Sequence, residues 1–229
     1  MKVKLISYTV PAQEMIENGV ENMSGLVAFC ARVSNPGNQL NKETYDKLVK
    51  YLIKNKHWSP FELINACLEI ETTRDIARQI LRHRSFSFNE YSQRYADPTK
   101  DLNFQIRDAR LQDSKNRQNS IDTNDEDLNK EWEFRQKKLI LAAKEEYEWA
   151  IRNGIAKEQA RAVLPEGNTQ SRIYMNGTLR SWITYISLRE KNGTQKEHKE
   201  IALECKKIIK KLIPSISDAL SGPNGEWNV

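Results

Sequence analysis

The sequence predicts an α+β fold in which a mainly antiparallel sheet packs with several helices. Three observations predict it. Some segments place apolar residues at every second position, whereas others place them at helical spacing. The two kinds of segment do not alternate as regular β-α-β units, which argues against a doubly wound parallel sheet. The 229 residues can fill one core, so we expect a single domain over residues 1–229.

The first predicted elements are a strand and an amphipathic helix. Residues 2–9 alternate loosely between polar and apolar side chains, which indicates an opening strand. Further along, apolar residues recur at helical spacing up to about Lys56, which indicates a helix. Its inward side chains are Tyr45, Leu48, Val49, Leu52 and Ile53.

A second strand and helix follow directly. Residues 61–71 change to a period of two, which is typical of a strand with one buried face. Thr73 then occupies the position of a helix N-cap. The inward residues predicted for this strand are Ile64, Ala66, Leu68 and Ile70, and those for the helix are Ile76, Ala77, Ile80 and Leu81.

The second half begins with a polar stretch, residues 112–130, whose composition predicts a flexible loop. A long helix is predicted over 131–153, with Gly154 as its C-cap, and a short helix before Pro165. Residues 169–177 are expected to be extended. Thr178 can cap a helix whose inward residues are Leu179, Trp182, Ile183 and Ile186, and a last helix spans about 195–212.

Composition limits the class of protein. The chain is 38% hydrophobic and 29% charged, and no apolar run is long enough to cross a membrane, so we expect a soluble protein with no membrane partner. The N-terminus lacks the pattern of a signal peptide, which favours the cytoplasm, or the host cytoplasm if a virus encodes the chain. Three widely spaced cysteines predict reduced thiols and no metal site. The net charge of +5 favours anionic partners.

Residues 74–95 contain the densest cluster of charged and polar side chains that could bind a ligand. Arg74, Arg78 and Arg82 are spaced by four, so they share one side of a helix, and an anion between them would relieve their repulsion. Serine, asparagine and the acid Glu90 follow, interleaved with aromatic residues. This mixture suits a nucleotide, because guanidinium groups hold phosphates and an acid can hold a hydroxyl or a ring N–H. A basic surface turn with aromatic core residues explains the pattern equally well.

The run RHRSFSFNEYSQRY over residues 82–95 resembles the signature R-H-R-x-x-S-x-N-x-x-S-x-R-Y of the flavin-dependent thymidylate synthases at every fixed position. The resemblance extends along the chain in the order of the family. The further matching segments are CARVSNPG at 30–37, HWSPFE at 57–62, QARAVLP at 159–165 and LRSWITYISLR at 179–189.

This resemblance implies a flavoprotein methyltransferase of dTTP biosynthesis. Such an enzyme converts dUMP to dTMP with 5,10-methylenetetrahydrofolate as carbon donor, FAD as cofactor and NADPH as reductant. It also implies a homotetramer whose active sites form at subunit interfaces, with no nucleic acid as partner. All these ligands are anionic, which agrees with the arginine density.

The resemblance also implies roles for residues. His57 and Arg189 match catalytic positions: His57 at the folate and nicotinamide face of the flavin, and Arg189 polarising the uracil ring. The positions that match FAD contacts are Ser34, Ser59, Arg82, His83, Arg84, Asn89, Glu90, Thr178, Arg180 and Thr184. Those that match the dUMP site are Gln79, Arg82, Glu90, Tyr91, Ser92, Gln93, Arg94, Arg161 and Arg189.

Alternatives to this function stay open. Ser92 could be a covalent nucleophile, which would need an adjacent base. The basic charge and interleaved aromatic residues would also fit a nucleic-acid-binding protein. Leu63, Thr178 and Thr184 differ from the residues common in the family, which keeps open a degenerate member that binds its ligands without turnover. His198, in a polar run, is expected to be solvated.

Overall fold

The fold is built around a four-stranded antiparallel sheet, seen in a computed structural model that describes residues 1–229. The strand order is β1-β2-β6-β3, so the last strand of the sheet in the chain lies between two earlier ones. A separate two-stranded hairpin is formed by β4 and β5. The strands are β1 (Lys2–Tyr8), β2 (Asn65–Thr73), β3 (Phe86–Glu90), β4 (Arg110–Gln112), β5 (Ser120–Asp122) and β6 (Gln170–Thr178).

The chain also forms ten α-helices, which confirms the predicted α+β class. None of them is both long and apolar enough to span a membrane. The helices are α1 (Gln13–Glu17), α2 (Met23–Ala31), α3 (Tyr45–Lys54), α4 (Arg74–Ile80), α5 (Pro98–Asp101), α6 (Glu126–Arg152), α7 (Lys157–Ala160), α8 (Leu179–Arg189), α9 (Lys196–Leu212) and α10 (Pro214–Leu220).

The register of β2 against β6 produces the core. Leu68 pairs with Met175 and Ile70 with Ile173, and all four side chains are fully buried. Helix α8 continues directly from β6, because the Thr178 hydroxyl accepts a hydrogen bond from the amide of Ser181 and caps the helix. The end of β6 thus fixes the direction of α8.

One tight contact anchors β3 to this arrangement. Phe86 of β3 pairs with Gly177 of β6, and a Cβ at Gly177 would lie closer to the Phe86 ring than carbon atoms can approach. The same ring packs edge-on against Trp182 of α8, with centroids 4.8 Å apart. Trp182 is fully buried, and its Nε1–H donates to the carbonyl of Ala66 at 3.0 Å. Strand β3 therefore needs a residue without a side chain at position 177.

The structure corrects several details of the sequence prediction. The stretch 112–130 is not a loop throughout: it contains β5, the end of β4 and the first turn of α6. Helix α6 begins earlier than predicted, because the Asp125 side chain accepts from the amide of Leu128 and caps it. Strand β3 and helices α2 and α10 were not predicted.

The C-terminal tail is part of the core. Trp227 is fully buried and belongs to the main apolar cluster. Its amide donates to the buried carboxylate of Glu190, and its carbonyl accepts from Ser187 at 2.8 Å. Lys206 also donates to Glu190. The tail is therefore fastened to the residue that follows Arg189.

Candidate active site

Three segments distant in sequence meet beside the start of α8. Glu62, in the 3-10 turn of Ser59–Glu62, accepts from the Thr178 hydroxyl at 2.9 Å and from Arg180 at 2.8 Å. The hydroxyl of Ser181 donates to the carbonyl of Ser85 at 3.1 Å, which holds the turn after Arg84 against α8. The structure thus brings together several of the residues that match FAD contacts.

The two outer arginines of this turn remain available. Arg82 and Arg84 are exposed, and neither forms an ion pair with a carboxylate. Two exposed, unpaired guanidinium groups on one turn make a donor set suited to an anion.

His83, between those arginines, turns inward toward Arg189 at the end of α8. The Nε–H of Arg189 donates to Nε2 of His83 at 3.0 Å, so that nitrogen carries no proton. Burial, followed by the charge of Arg189, lowers the pKa of His83 to about 4. The imidazole is therefore neutral near pH 7, and Arg189 keeps its charge without a carboxylate partner.

A buried polar network lies next to this pair. His198 of α9 is fully buried, with Nε2 3.2 Å from the Tyr185 hydroxyl and Nδ1 3.3 Å from Oε1 of Gln79. The amide of Gln79 donates to Gln195 at 2.8 Å, and Gln195 donates to Glu197 at 2.9 Å. Arg189, His83 and Gln79 therefore lie in one region, supported by α8 and α9.

Two residues that match the dUMP site, Gln93 and Arg161, line a polar cleft of about 270 Å³, and Arg94 contacts its Glu158 wall. Arg94 pairs with Glu158 at 3.2 Å, and Arg161 donates to the carbonyl of the same Glu158 at 3.3 Å. Gln93 is buried, and its Nε2 has no hydrogen-bond partner. An unpartnered buried donor beside two guanidinium groups favours an anionic ligand in this cleft. The residues that line it are Arg74, Arg78, Gln93, Glu158, Arg161, Ala162, Leu164 and Glu166.

Comparison with known proteins identifies the family. The family model described as "Thymidylate synthase complementing protein" matches residues 14–215. A probable flavin-dependent thymidylate synthase of Paramecium bursaria Chlorella virus 1 is 50% identical over 96% of this chain and 99% of its own length. The flavin-dependent thymidylate synthase of Synechocystis is 48% identical over 99% of this chain and 100% of its own.

The chain belongs to the flavin-dependent thymidylate synthase family. A solved structure agrees: the UMP/dUMP methylase PolB from Streptomyces cacaoi, bound with 5-Br dUMP, has a TM-score of 0.76. It is 25% identical, and the match covers 96% of this chain and 93% of that one.

In this family member, acids relieve the repulsion between Arg74 and Arg78 of α4. The sequence favoured an anion between Arg74, Arg78 and Arg82 as the group that relieves this repulsion. The structure instead pairs Arg74 with Glu90 at 3.4 Å and Arg78 with Glu166. Glu166 is 88 positions from Arg78 in the sequence, so no local sequence pattern could indicate that the two residues pair. Arg82 alone stays unpaired.

Other residues matched to the family signature lie along β3 and just after it. Glu90 accepts from Ser171 at 2.8 Å as well as from Arg74. The Tyr91 hydroxyl donates to Asp101 at 2.8 Å, and burial together with that bond raises the pKa of Tyr91. Asn89 is exposed and lines a small pocket with Glu90 and Tyr91.

Three matched residues stay outside these contacts. Ser34 and Thr184 are exposed and make no side-chain hydrogen bond to another site residue. His57 is also exposed, and its ring packs edge-on against Tyr51 with centroids 6.0 Å apart. The structure thus shows no contact between His57 and Arg189.

The expectation that His198 is solvated is wrong. His198 lies on the same face of α9 as Ile201, Cys205 and Ile209, which are all fully buried. His198, Ile201 and Cys205 follow one another at intervals of three and four residues, and this helical spacing was the signal that could have found it. The charged neighbours in KEHKE concealed that signal.

The structure offers no activated protein nucleophile. The Ser92 hydroxyl accepts from the amide of Arg94 at 3.4 Å and contacts no base. Burial raises the pKa of the Cys30, Cys67 and Cys205 thiols, which is opposite to the activation that a nucleophilic cysteine needs. Chemistry that needs no covalent enzyme adduct fits the site better.

Proposed function

We propose that this chain methylates dUMP to dTMP, with FAD as cofactor, 5,10-methylenetetrahydrofolate as carbon donor and NADPH as reductant. The observation that carries the proposal is Arg189: a guanidinium held by a neutral imidazole and left without a carboxylate partner. In an active site that binds a pyrimidine, such a group is free to neutralise charge on the ring.

The mechanism we propose for Arg189 is electrostatic. Its terminal nitrogens would face the uracil ring and stabilise negative charge spread over N3 and O4. This lowers the pKa of N3 and makes C5 a better nucleophile toward the methylene carbon. His83 holds Arg189 through Nε without neutralising it, because its imidazole carries no charge near pH 7.

The phosphate of dUMP is proposed to bind in the polar cleft. Arg94 and Arg161 both contact Glu158, and Gln93 presents an unpartnered donor. Side chains of the Arg94–Glu158 pair are 63% and 47% exposed, and such pairs contribute little stability. A phosphate dianion can therefore take the guanidinium from Glu158 at small cost.

The residues beside α8 fit an anionic diphosphate such as that of FAD. Arg82 and Arg84 would hold the phosphates, with Thr178, Arg180 and Ser59 completing the cradle. When bound, the flavin supplies the hydride for reduction of the methylene group to methyl. The protein orients the reactants and excludes water. His57 and Ser34 are proposed to reach the site only in the assembled oligomer.

A homotetramer is proposed because α6 exposes much apolar surface. Such surface on one helix is typical of a subunit interface. Light scattering of the purified protein would measure the mass. Mixing the Arg189→Ala and Arg94→Ala variants would test shared sites, since subunits that complement each other regain activity. The exposed side chains are Trp132 (43%), Phe134 (61%), Leu139 (53%), Leu141 (62%) and Trp149 (53%).

The testing experiment separates the alternatives. The protein is loaded with FAD, excess flavin is removed, and the visible absorbance is recorded before and after anaerobic NADPH; dTMP is then assayed with dUMP and methylenetetrahydrofolate. Retained flavin that NADPH bleaches, followed by dTMP, supports the proposal. Bleaching without dTMP indicates the degenerate family member. If no flavin is retained, the proposal fails and binding of nucleic acid is tested next.

A further inference from the structure

We infer that His198 is a positioning residue that acts through Gln79 by fixing the orientation of its side-chain amide. The inference rests on the proposed function, because that assigns Gln79 to the dUMP site. His198 itself is fully buried and reaches Gln79 through this contact, while its ring also lies edge-on to His83 with centroids 6.2 Å apart. His198 and Gln79 belong to a chain of hydrogen bonds that runs from Tyr185 to Glu197.

The chain has a fixed direction at its Glu197 end. Burial alone would raise the pKa of Glu197, but hydrogen bonds to its carboxylate and the ion pair with Arg110 lower it, so the group stays ionised. An ionised carboxylate only accepts, so Gln195 must direct its NH₂ toward Glu197 and its oxygen toward Gln79. Gln79 must then direct its NH₂ toward Gln195 and its oxygen toward His198.

The tautomer of His198 follows from this orientation of Gln79. The Gln79 oxygen can only accept, so Nδ1 of His198 must carry the proton. A neutral imidazole carries one proton, so Nε2 accepts from the Tyr185 hydroxyl. Burial, then the charges of Arg189 and His83, lower the pKa of His198 to about 3, which keeps the ring neutral. The Nδ1–H of His198 therefore holds the Gln79 oxygen in the orientation that Glu197 sets.

The fixed orientation of the Gln79 amide affects how the site recognises a ligand. A glutamine amide without fixed partners can rotate by 180° and exchange its donor with its acceptor. Gln79 lies on α4 beside Arg78 and keeps one unused Nε2–H in a fixed direction. A preorganised donor binds without the cost of ordering and rejects ligands with a donor at that place. His198 thus supports binding of the pyrimidine nucleotide.

The test is a double-mutant cycle with a conservative rescue. Dissociation constants for dUMP are measured by calorimetry on the flavin-loaded protein. His198→Leu, which has similar volume but no donor, should weaken dUMP binding about fivefold to tenfold. His198→Asn keeps a donor N–H at the place of Nδ1 and should stay within about twofold of wild type. In the Gln79→Ala background, His198→Leu should change binding no further.

Two outcomes overturn the inference. One is unchanged dUMP affinity in His198→Leu. The other is the same fold-loss with and without Gln79, because that loss would come from general disturbance of the core. If His198→Leu does not fold, His198→Met, which also lacks an N–H donor but fills irregular space more flexibly, replaces it in the cycle with the same expectations. Wild-type protein that fails to bind dUMP would instead overturn the proposed function, so the two failures are distinguishable.

Discussion

Acidification should destabilise the protein through His198, and the size of the effect can be worked out. The ring has an ordinary pKa of 6.5 in the unfolded chain and about 3 in the fold. Between these values the unfolded chain binds more protons, so stability is full above about pH 6.5 and falls as the pH decreases. The unfolded pKa lies about 1.5 units above pH 5, so protonation of the ring at pH 5 stabilises the unfolded state by roughly 2 kcal/mol.

The assay is urea denaturation of wild type and His198→Asn at pH 8 and pH 5, at one protein concentration because an oligomer is expected. Other titrating groups cancel in the comparison. The variant should therefore lose about 2 kcal/mol less than wild type between the two pH values. Ile201→Val, one turn along α9, is the control, because it removes buried volume without changing titration.

The result that refutes the reasoning is an equal loss of free energy of unfolding in wild type and His198→Asn. That result would mean that the buried ring takes up its proton in the fold as readily as in the unfolded chain. The same conclusion follows if Ile201→Val also loses less free energy of unfolding than wild type between pH 8 and pH 5. That result would point to general destabilisation and not to titration of His198.

Three other changes test the fold and the site. Gly177→Ala should lower the free energy of unfolding by about 1–3 kcal/mol, because the new methyl group overlaps an aromatic ring, whereas Gly167→Ala meets no atom within 4 Å and should be near neutral in the same denaturation assay. Arg189→Lys should reduce the rate of dTMP formation about 100-fold or more while flavin absorbance is retained; unchanged turnover would exclude the electrostatic role. Glu158→Gln should tighten dUMP binding by a few-fold, because Arg94 no longer has a competing carboxylate, and calorimetry showing weaker binding would place the phosphate elsewhere.

Periodicity predicted the elements whose two faces differ in polarity. Strand β2 and helix α8 have clear inward stripes, and both were found within a few residues of their bounds. Helix α2 is apolar over most of its sequence, so it shows no stripe. Strand β3 lies inside the charged signature. Its polar residues, which match ligand contacts in the family, make the alternation of apolar and polar residues hard to recognise.

The family signature identified residues of the candidate site, but it did not predict the acids with which their arginines form ion pairs. Arg78 pairs with an acid 88 positions away and Arg94 with one 64 positions away, and no local pattern connects them. The inward orientation of His83 could not be predicted either, because it depends on the place where α8 ends. These features arise from packing of distant segments, which a single sequence does not display.

The strand order also determines how the protein can be made. Strand β6 lies between β2 and β3, yet it is synthesised after the whole stretch 74–169. Until then, the growing chain on the ribosome carries β2 with one open edge, and its apolar residues lack their partners. Open edges invite pairing between chains. Nascent chains that stall before residue 170 should therefore aggregate or require a chaperone, and full-length chains should complete the sheet in one late step.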